Sequence, residues 1–135
     1  MDLKLSQCFI TVHDQDDALA FYRDVLGLEA RADVVIGSMR WLTVASPSEP
    51  DAVELALETP DGRPGDPRAL AQVMSAGSLT AAIFQTGDCD ALFAKAVAAG
   101  AEVVQEPKDQ PYGVRDCAVR DPSKNMVRFS QPLGG

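Results

Sequence analysis

The sequence predicts an α+β protein built from two βαβββ modules related by an internal duplication. Three observations lead to this prediction. A strand-like alternation runs directly into a helix with acidic residues at its start and a glycine at its end, and this order of elements occurs twice. The segment DALAFYRDVLGLEA, which begins at residue 17, matches DALFAKAVAAGAEV, which begins 73 residues later at residue 90. The segment RWLTVASPSEPDAVEL likewise matches RDCAVRDPSKNMVRF once one residue is dropped.

The first module covers about residues 3–58. Its opening stretch, LSQCFITVH, predicts a strand, because it alternates between one face with Cys8, Ile10 and Val12 and another with Gln7, Phe9, Thr11 and His13. Asp14 then predicts a helix N-cap, and Gly27 predicts the end of that helix. Two or three further strands are predicted over LEARADV, SMRWLTVAS and AVELALE.

The second module covers about residues 79–132 and repeats this order. LTAAIFQT predicts a strand, the stretch from Asp88 to Gly100 predicts a helix, and AEVVQ, GVRDCAVRD and NMVRFSQ predict three more strands. Between the modules, about residues 59–78 form a predicted Pro/Gly-containing linker with a short helix over PRALAQVM. At 135 residues, the chain 1–135 is predicted to be a single domain.

Composition excludes several classes of protein. The net charge of −8 and the sequence pI near 4.5 disfavour a nucleic-acid partner, which needs basic surface. No apolar run has the roughly 18 residues of a spanning helix, and the N-terminus lacks the pattern of a signal peptide, so we expect a cytoplasmic protein outside the membrane. Three cysteines without a C-x-x-C pair predict buried thiols in a reducing compartment.

Two motifs carry a family resemblance. The first module contains D-x-x-x-A-x-x-F-Y-x-x-x-L-G from Asp14 to Gly27, and R-D-P-x-x-N precedes the last predicted strand. Together with the duplicated βαβββ pattern, they resemble the vicinal oxygen chelate superfamily, which includes glyoxalase I, extradiol dioxygenases and bleomycin-binding resistance proteins. The resemblance implies paired half-barrels around a cavity, with the helices outside. It also implies a homodimer, since members of the superfamily commonly form one.

In the enzymes of this superfamily, a divalent metal is held by four positions of the cavity, which fall here on Gln7, Glu54, Ala81 and Arg128. This set contains a single carboxylate, and Arg128 would place a fixed positive charge where the cation should lie. We therefore expect no metal and no other cofactor, and metal-dependent chemistry is disfavoured. His13 lies outside the four positions and is expected to be a partly exposed residue at the junction of strand and helix.

Seven residues are candidates for ligand binding: Gln7, Phe9, Trp41, Glu54, Tyr112, Arg115 and Arg128. Glu54 and Arg128 are expected to face one cavity, where they either pair with each other or bind the charged groups of a ligand. Trp41 is either a ligand platform or ordinary core. Tyr112, Gly113 and Arg115 are similar to the W-G-x-R segment of bleomycin-resistance-like members, with tyrosine in place of tryptophan. The structural alternative for Arg115 is a surface ion pair with Asp116 or Asp121.

These observations leave two main functions open. The first is a metal-free protein that binds a small molecule, as the drug-sequestering relatives do. The alternative is a glyoxalase- or dioxygenase-like enzyme, a lyase, isomerase or ring-cleaving enzyme with an atypical or absent metal site, in which Glu54 is the candidate for the general base. A third interpretation is a pseudoenzyme that acts through its dimer surface.

Overall fold

The structure of the protein is a computed structural model, and residues 2–134 are described. The chain forms two compact units, Met1–Gln72 and Val73–Gly135, and the boundary between them falls within the predicted linker. The α+β class and the two βαβββ modules are confirmed, since each unit carries one four-stranded sheet with a helix connecting its first strand to the rest.

The first unit contains every element predicted for it. Its strands are β1 (Gln7–Thr11), β2 (Glu29–Ile36), β3 (Met39–Ala45) and β4 (Glu54–Glu58), and its first helix is α1 (Gln15–Leu19), which continues as a π-helical turn over Ala20–Val25. A 3₁₀ turn over Pro60–Gly62 follows β4. The sheet order is β1-β4-β3-β2, with β1 and β4 parallel and the remaining pairs antiparallel.

The second unit has the same order of strands. Helix α2 (Pro67–Ser75) leads into β5 (Thr80–Gln85), α3 (Cys89–Ala98), β6 (Val103–Asp109), β7 (Val114–Arg120) and β8 (Met126–Pro132). The sheet order is β5-β8-β7-β6, and β5 and β8 are parallel. Strand β6 is longer than the predicted AEVVQ and contains Pro107; it tolerates a residue without an N–H because it is an edge strand.

Both predicted helix starts are confirmed. The Asp14 carboxylate accepts a hydrogen bond of 2.8 Å from the backbone N–H of Asp17, and the Asp88 carboxylate accepts one of 3.0 Å from Ala91. Each bond satisfies one of the N–H groups that the first turn of a helix leaves unpaired. Gly27 follows the π-helical turn with φ of +84°, a backbone conformation that glycine adopts without steric cost.

One face of each sheet is buried. In the first unit this face carries Ile10, Val12, Leu42, Val44 and Leu57, which pack with Ala18, Leu19, Phe21 and Tyr22. In the second unit it carries Cys117, Val119, Val127 and Phe129, together with Cys89 and Ala96 of α3. The alternation predicted for β1 is confirmed, because Ile10 is buried whereas Gln7 and Phe9 are exposed. Among residues 2–134, no helix is long and apolar enough to cross a membrane.

Candidate functional site

Two aromatic rings meet on the open face of the first sheet. Phe9 of β1 and Trp41 of β3 lie on either side of β4, with ring centroids 6.4 Å apart in an edge-to-face arrangement. Ala56 of β4 is opposite Phe9 in the ladder and is fully buried, and its small side chain leaves room for the rings to meet across the strand. Phe9 remains 49% exposed, so this pair presents an aromatic surface to solvent.

A cavity of about 220 Å³ adjoins this aromatic pair. Trp41 and Met39 form its apolar wall, and Glu58 and Asp61 place carboxylates along its rim. Apolar walls with a few polar groups are typical of small-molecule sites, although this volume is below the roughly 300 Å³ at which sites for drug-sized ligands begin. The cavity therefore fits a single-ring compound or one part of a larger ligand.

The cavity exists because β3 and β4 separate. Their ladder ends at the pair Thr43 and Ala56, although both strands continue beyond it. Gln15, the first residue of α1, reaches this gap and donates hydrogen bonds from Nε2 to the carbonyl oxygens of Arg40 at 3.1 Å and Leu57 at 2.8 Å. The side-chain amide thus satisfies carbonyls of both strands at the point where they part.

Charge around the cavity is predominantly negative. The Arg40 guanidinium donates to both carboxylate oxygens of Asp33, at 2.8 and 2.9 Å, and to Asp16 at 2.7 Å. These hydrogen bonds hold the pKa of Arg40 above its ordinary value. The Arg63 guanidinium lies 3.6 Å from Glu58 and 5.5 Å from the centroid of the Phe9 ring.

Gln7 and Glu54 are the residues at the first two positions carried over from the family's enzymes. They are direct neighbours in the β1–β4 ladder and share the open face. Glu54 is half-buried, and its Oε1 accepts a hydrogen bond of 2.6 Å from the Thr43 hydroxyl. The carboxylate of Glu54 is therefore anchored by a neighbouring strand within its own unit. Gln7 adds only a neutral amide to this position.

In the second unit, Arg128 takes part in a polar network around Asp116. The Asp116 carboxylate is 2% exposed and accepts hydrogen bonds from Gln105 at 2.8 Å, Gln110 at 3.0 Å and Tyr112 at 3.0 Å. Arg128 lies 3.5 Å from the same carboxylate and donates to the Gln105 side-chain oxygen at 2.8 Å. Arg128 thus has partners in its own unit, as Glu54 does.

This network shifts two pKa values. Burial raises the pKa of Asp116, but hydrogen bonds from Gln110, Gln105 and Tyr112 and the charge of Arg128 outweigh it, so the pKa lies below its ordinary value. The hydrogen bond to Asp116 and partial burial raise the pKa of Tyr112. Asp116 is therefore ionised and Tyr112 is a neutral donor at physiological pH.

The structure gives Arg115 different partners from those predicted. Its guanidinium donates to Asp90 at 2.8 and 2.9 Å and to Asp109 at 3.0 Å, and these bonds raise its pKa. The structural alternative, a surface ion pair, named the wrong partners in Asp116 and Asp121, because α3 and the end of β6 bring other carboxylates nearer. Arg115 and Tyr112 therefore bind different carboxylates: Arg115 donates to Asp90 and Asp109, whereas Tyr112 donates to Asp116.

The two units also differ in ladder register. Glu54 lies opposite Gln7, whereas Arg128 lies opposite Ile83, two residues beyond Ala81, because the β5–β8 ladder shifts between Thr80 and Ala82. Ala81 offers no donor side chain in either register. His13 lies beyond β1 in the exposed turn that leads into α1.

The residues at the four family positions do not fit a divalent metal. One carboxylate, one amide, one methyl group and one guanidinium provide far fewer than the three or so histidine or carboxylate donors of a catalytic site. Within residues 2–134, no group of three or more His, Cys, Asp or Glu side chains is arranged to hold a metal ion.

Sequence reasoning missed four residues that shape these sites: Gln15, Arg63, Gln105 and Gln110. It considered Asp116 only as a partner for Arg115. One signal was available for Asp116, because the alternation of β7 places it on the face opposite Cys117, where a polar side chain indicates a polar site. No periodic signal points to Gln15.

Known proteins are similar to this chain, and three of them illustrate the likeness. The uncharacterized protein YurT of Bacillus subtilis (strain 168) is 34% identical over 105 residues, which cover 78% of this chain and 81% of that protein. UcmS2 is 33% identical with a TM-score of 0.86, over 96% of this chain and 98% of its own. TnmS3, an antibiotic binding protein from Streptomyces sp. CB03234, is 28% identical with a TM-score of 0.75, over 97% of both chains.

The match to a family profile extends over nearly the whole chain. Residues 4–129 fit the family described as the Glyoxalase/Bleomycin resistance protein/Dioxygenase superfamily. The fold, the two motifs and this match agree with the resemblance found in the sequence. The chain therefore belongs to the Glyoxalase/Bleomycin resistance protein/Dioxygenase superfamily.

Proposed function

We propose that this chain binds and sequesters a small aromatic molecule, such as an antibiotic, without a catalytic metal. The observation that supports this most is the exposed Phe9–Trp41 ring pair next to a cavity of about 220 Å³. Flat aromatic ligands stack on such rings. The apolar wall of the cavity contacts the ligand, and its few polar groups fix the orientation of the ligand. The similarity to an antibiotic binding protein, TnmS3, supports the same function.

The chemistry of the family positions supports a site without metal. Glu54 is the one carboxylate of the set, and its Oε1 already accepts a hydrogen bond from Thr43. Arg128 contributes a permanent positive charge that titration cannot remove. A second function, catalysis by Glu54 as a general base, would require a substrate proton within about 3 Å of this carboxylate.

The first experiment uses Trp41, the single tryptophan of the chain, as a fluorescent reporter. We expect planar aromatic antibiotics to quench its emission in a saturable manner, with one ligand per site. Phe9→Ala should weaken binding, whereas Val97→Ala, a substitution of an exposed apolar residue on α3, should not. Quenching that neither saturates nor depends on Phe9 would reject this aromatic site.

The second experiment tests the proposed lack of metal. Protein stripped with a chelator is titrated calorimetrically with Zn²⁺, Ni²⁺, Mn²⁺ and, under anaerobic conditions, Fe²⁺. We expect no stoichiometric binding, and no difference between the unmodified chain and Glu54→Ala. Tight one-to-one binding that disappears in Glu54→Ala would instead favour a lyase or dioxygenase.

We further propose that the chain works in the cytoplasm as a homodimer. Three free cysteines suit a reducing compartment, and the exposed edge strand β2 provides a surface for a second copy.

A further inference from the structure

The Arg63 side chain lies beside the Phe9–Trp41 ring pair and next to the cavity, although Arg63 is not one of the residues that line the cavity. Its guanidinium carbon is 5.5 Å from the centroid of the Phe9 ring, within the range of a cation–π contact. Its Nε is 3.6 Å from Oε1 of Glu58, a residue that also lines the cavity. A planar cation, supplied by the chain itself, therefore already lies between an aromatic ring and a carboxylate.

A tight turn brings Arg63 to this place. The 3₁₀ turn Pro60–Gly62 directly precedes it, and Gly62 packs so closely on Glu58 that an added Cβ would lie 3.1 Å from Cγ of that side chain. The turn therefore sits directly on the residue that pairs with Arg63. A shift of this short turn changes the distance between the guanidinium and both of its partners.

Arg63 is held much more weakly than Arg40, the other arginine beside the cavity. Arg40 makes three short hydrogen bonds to two carboxylates, whereas the 3.6 Å separation of Arg63 from Glu58 is longer than a hydrogen bond. The side chain of Arg63 is also 37% exposed. Exposed ion pairs and cation–π contacts of this kind each stabilise a side chain only weakly, so a ligand can replace them.

The carboxylates near the cavity outnumber the arginines. Arg40 pairs with Asp16 and Asp33, and Arg63 pairs with Glu58. Asp61, which lines the cavity, is a fourth carboxylate. Asp61 accepts a hydrogen bond from Thr59 and has no arginine partner among the ion pairs of the described residues. An incoming cation would therefore meet a negative rim even while Arg63 remains in place.

We infer that this cavity, together with the Phe9 ring beside it, binds a planar organic cation, an amidinium or guanidinium carried on an aromatic ring. Arg63 occupies the cation position, between Phe9 and the cavity residue Glu58, until the ligand displaces it. The inference rests on the proposed binding function and names the ligand class. The aromatic part packs on Trp41, and the cation replaces Arg63 beside Glu58. A dry cavity of about 150 Å³ accepts benzene, so about 220 Å³ admits one ring with an amidinium group.

The test compares benzamidine with benzamide, its neutral analogue of nearly the same shape, by titration of Trp41 fluorescence in the full-length chain. We expect saturable quenching by benzamidine and much weaker quenching by benzamide. Arg63→Ala removes the internal competitor and should tighten benzamidine binding roughly two- to fivefold, the range of an exposed cation–π contact. Glu58→Gln should weaken it, and circular dichroism checks that both variants fold.

Two control variants distinguish displacement of Arg63 by the ligand from a general effect of the protein's net charge. Arg68→Ala removes an exposed arginine of α2, and Glu49→Gln neutralises a glutamate in an exposed turn; neither residue lines the cavity. We expect both to bind benzamidine like the unmodified chain. Equal tightening by Arg63→Ala and Arg68→Ala would overturn the role of Arg63.

Two further results would overturn the inference in distinguishable ways. If benzamide binds as well as benzamidine and Arg63→Ala has no effect, the ligand class is wrong, while binding of neutral aromatic molecules stands. If benzamidine leaves the fluorescence unchanged at millimolar concentration but antibiotics quench it, the cation site is rejected and the proposed function is retained. If no antibiotic quenches either, the proposed function fails as well.

Discussion

The buried carboxylate of Asp116 accepts a 3.0 Å hydrogen bond from the hydroxyl of Tyr112, whose side chain is otherwise largely exposed. This hydrogen bond connects the loop between β6 and β7 to a buried residue of β7. Gln105 and Gln110 donate to the same carboxylate, so one buried charge organises three side chains from neighbouring segments. Such a charge stabilises the fold only while its donors stay in place.

Asp116→Asn should therefore lower the free energy of unfolding. An asparagine amide offers one acceptor where the carboxylate offers two, and its NH₂ group would face other donors. We expect a loss of about 2–3 kcal/mol in urea denaturation, as for hydrogen bonds to a charged group. Asp51→Asn, at an exposed turn of the first unit, is the control and should change stability by less than about 0.5 kcal/mol. Equal stability of the two variants would contradict a central role for Asp116.

Asp116 should also affect how the free energy of unfolding falls at acidic pH. Because the pKa of Asp116 lies below its ordinary value of 3.8 in the folded chain, the unfolded chain binds the proton first as the pH falls. Its contribution is complete above the unfolded pKa and is lost as the pH falls through the folded one. Unfolding free energies measured from pH 7 to about pH 3 should thus fall less steeply in Asp116→Asn than in the unmodified chain. If the curves of the variant and the unmodified chain run parallel, Asp116 has the same pKa in the folded and the unfolded chain, and this prediction is wrong.

Much of the fold followed from local signals in the sequence. Asp14 and Asp88 predicted both helix starts because an N-cap acts on the backbone two or three residues away. The alternation of β1 correctly separated buried Ile10 from exposed Phe9, since side chains alternate strictly along a strand. Such signals operate over a few residues and do not depend on the rest of the chain.

The polar partners were not predictable in the same way. Gln15 bonds to carbonyls 25 and 42 residues further along the chain, and Arg128 bonds to Gln105, 23 residues before it. These contacts depend on where strands separate and how ladders shift, and the shift of the β5–β8 ladder near Ala81 has no counterpart in the β1–β4 ladder. The duplicated sequence pattern predicts the same pairing register in the β1–β4 and β5–β8 ladders. A β-bulge shifts which residues lie opposite each other and leaves the sequence pattern unchanged.

Gln15 provides a direct test of the gap between β3 and β4. Gln15→Ala removes both hydrogen bonds and leaves the carbonyls of Arg40 and Leu57 without this donor. We expect a loss of about 1–3 kcal/mol in unfolding free energy, the cost of part-buried groups that lose their partner. Gln15→Glu should be at least as damaging, because a carboxylate cannot donate and would repel both oxygens. Gln72→Ala, on exposed α2, is the control; a similar loss there would show that the effect is not specific to the gap.

The three thiols should differ sharply in reactivity. Cys89 and Cys117 are buried with their sulfur atoms 3.3 Å apart, and burial raises the pKa of both, that of Cys117 to about 12. Since the thiolate is the reactive form, we expect a disulfide reagent at pH 8 to modify half-buried Cys8 first and the other two more than about a hundredfold more slowly. Mass spectrometry assigns the modified residue, and in denaturant all three thiols should become accessible to the reagent. Rapid modification of Cys117 in the folded chain would contradict its burial.

Strand β2 should form the contact of the proposed homodimer. It lies at the edge of its sheet and pairs only with β3, and its consecutive residues Val34, Val35 and Ile36 are 51%, 72% and 59% exposed. An edge strand with free backbone groups pairs readily with a second copy, and the added strand would cover part of these apolar side chains on both faces of the sheet. Light scattering after size exclusion should give about twice the chain mass of 14.4 kDa. Val35→Lys should shift the population to monomer, because the dimer would bury an ammonium group without a partner. Val97→Lys on α3 should not, and a chain that remains monomeric at all concentrations would exclude this assembly.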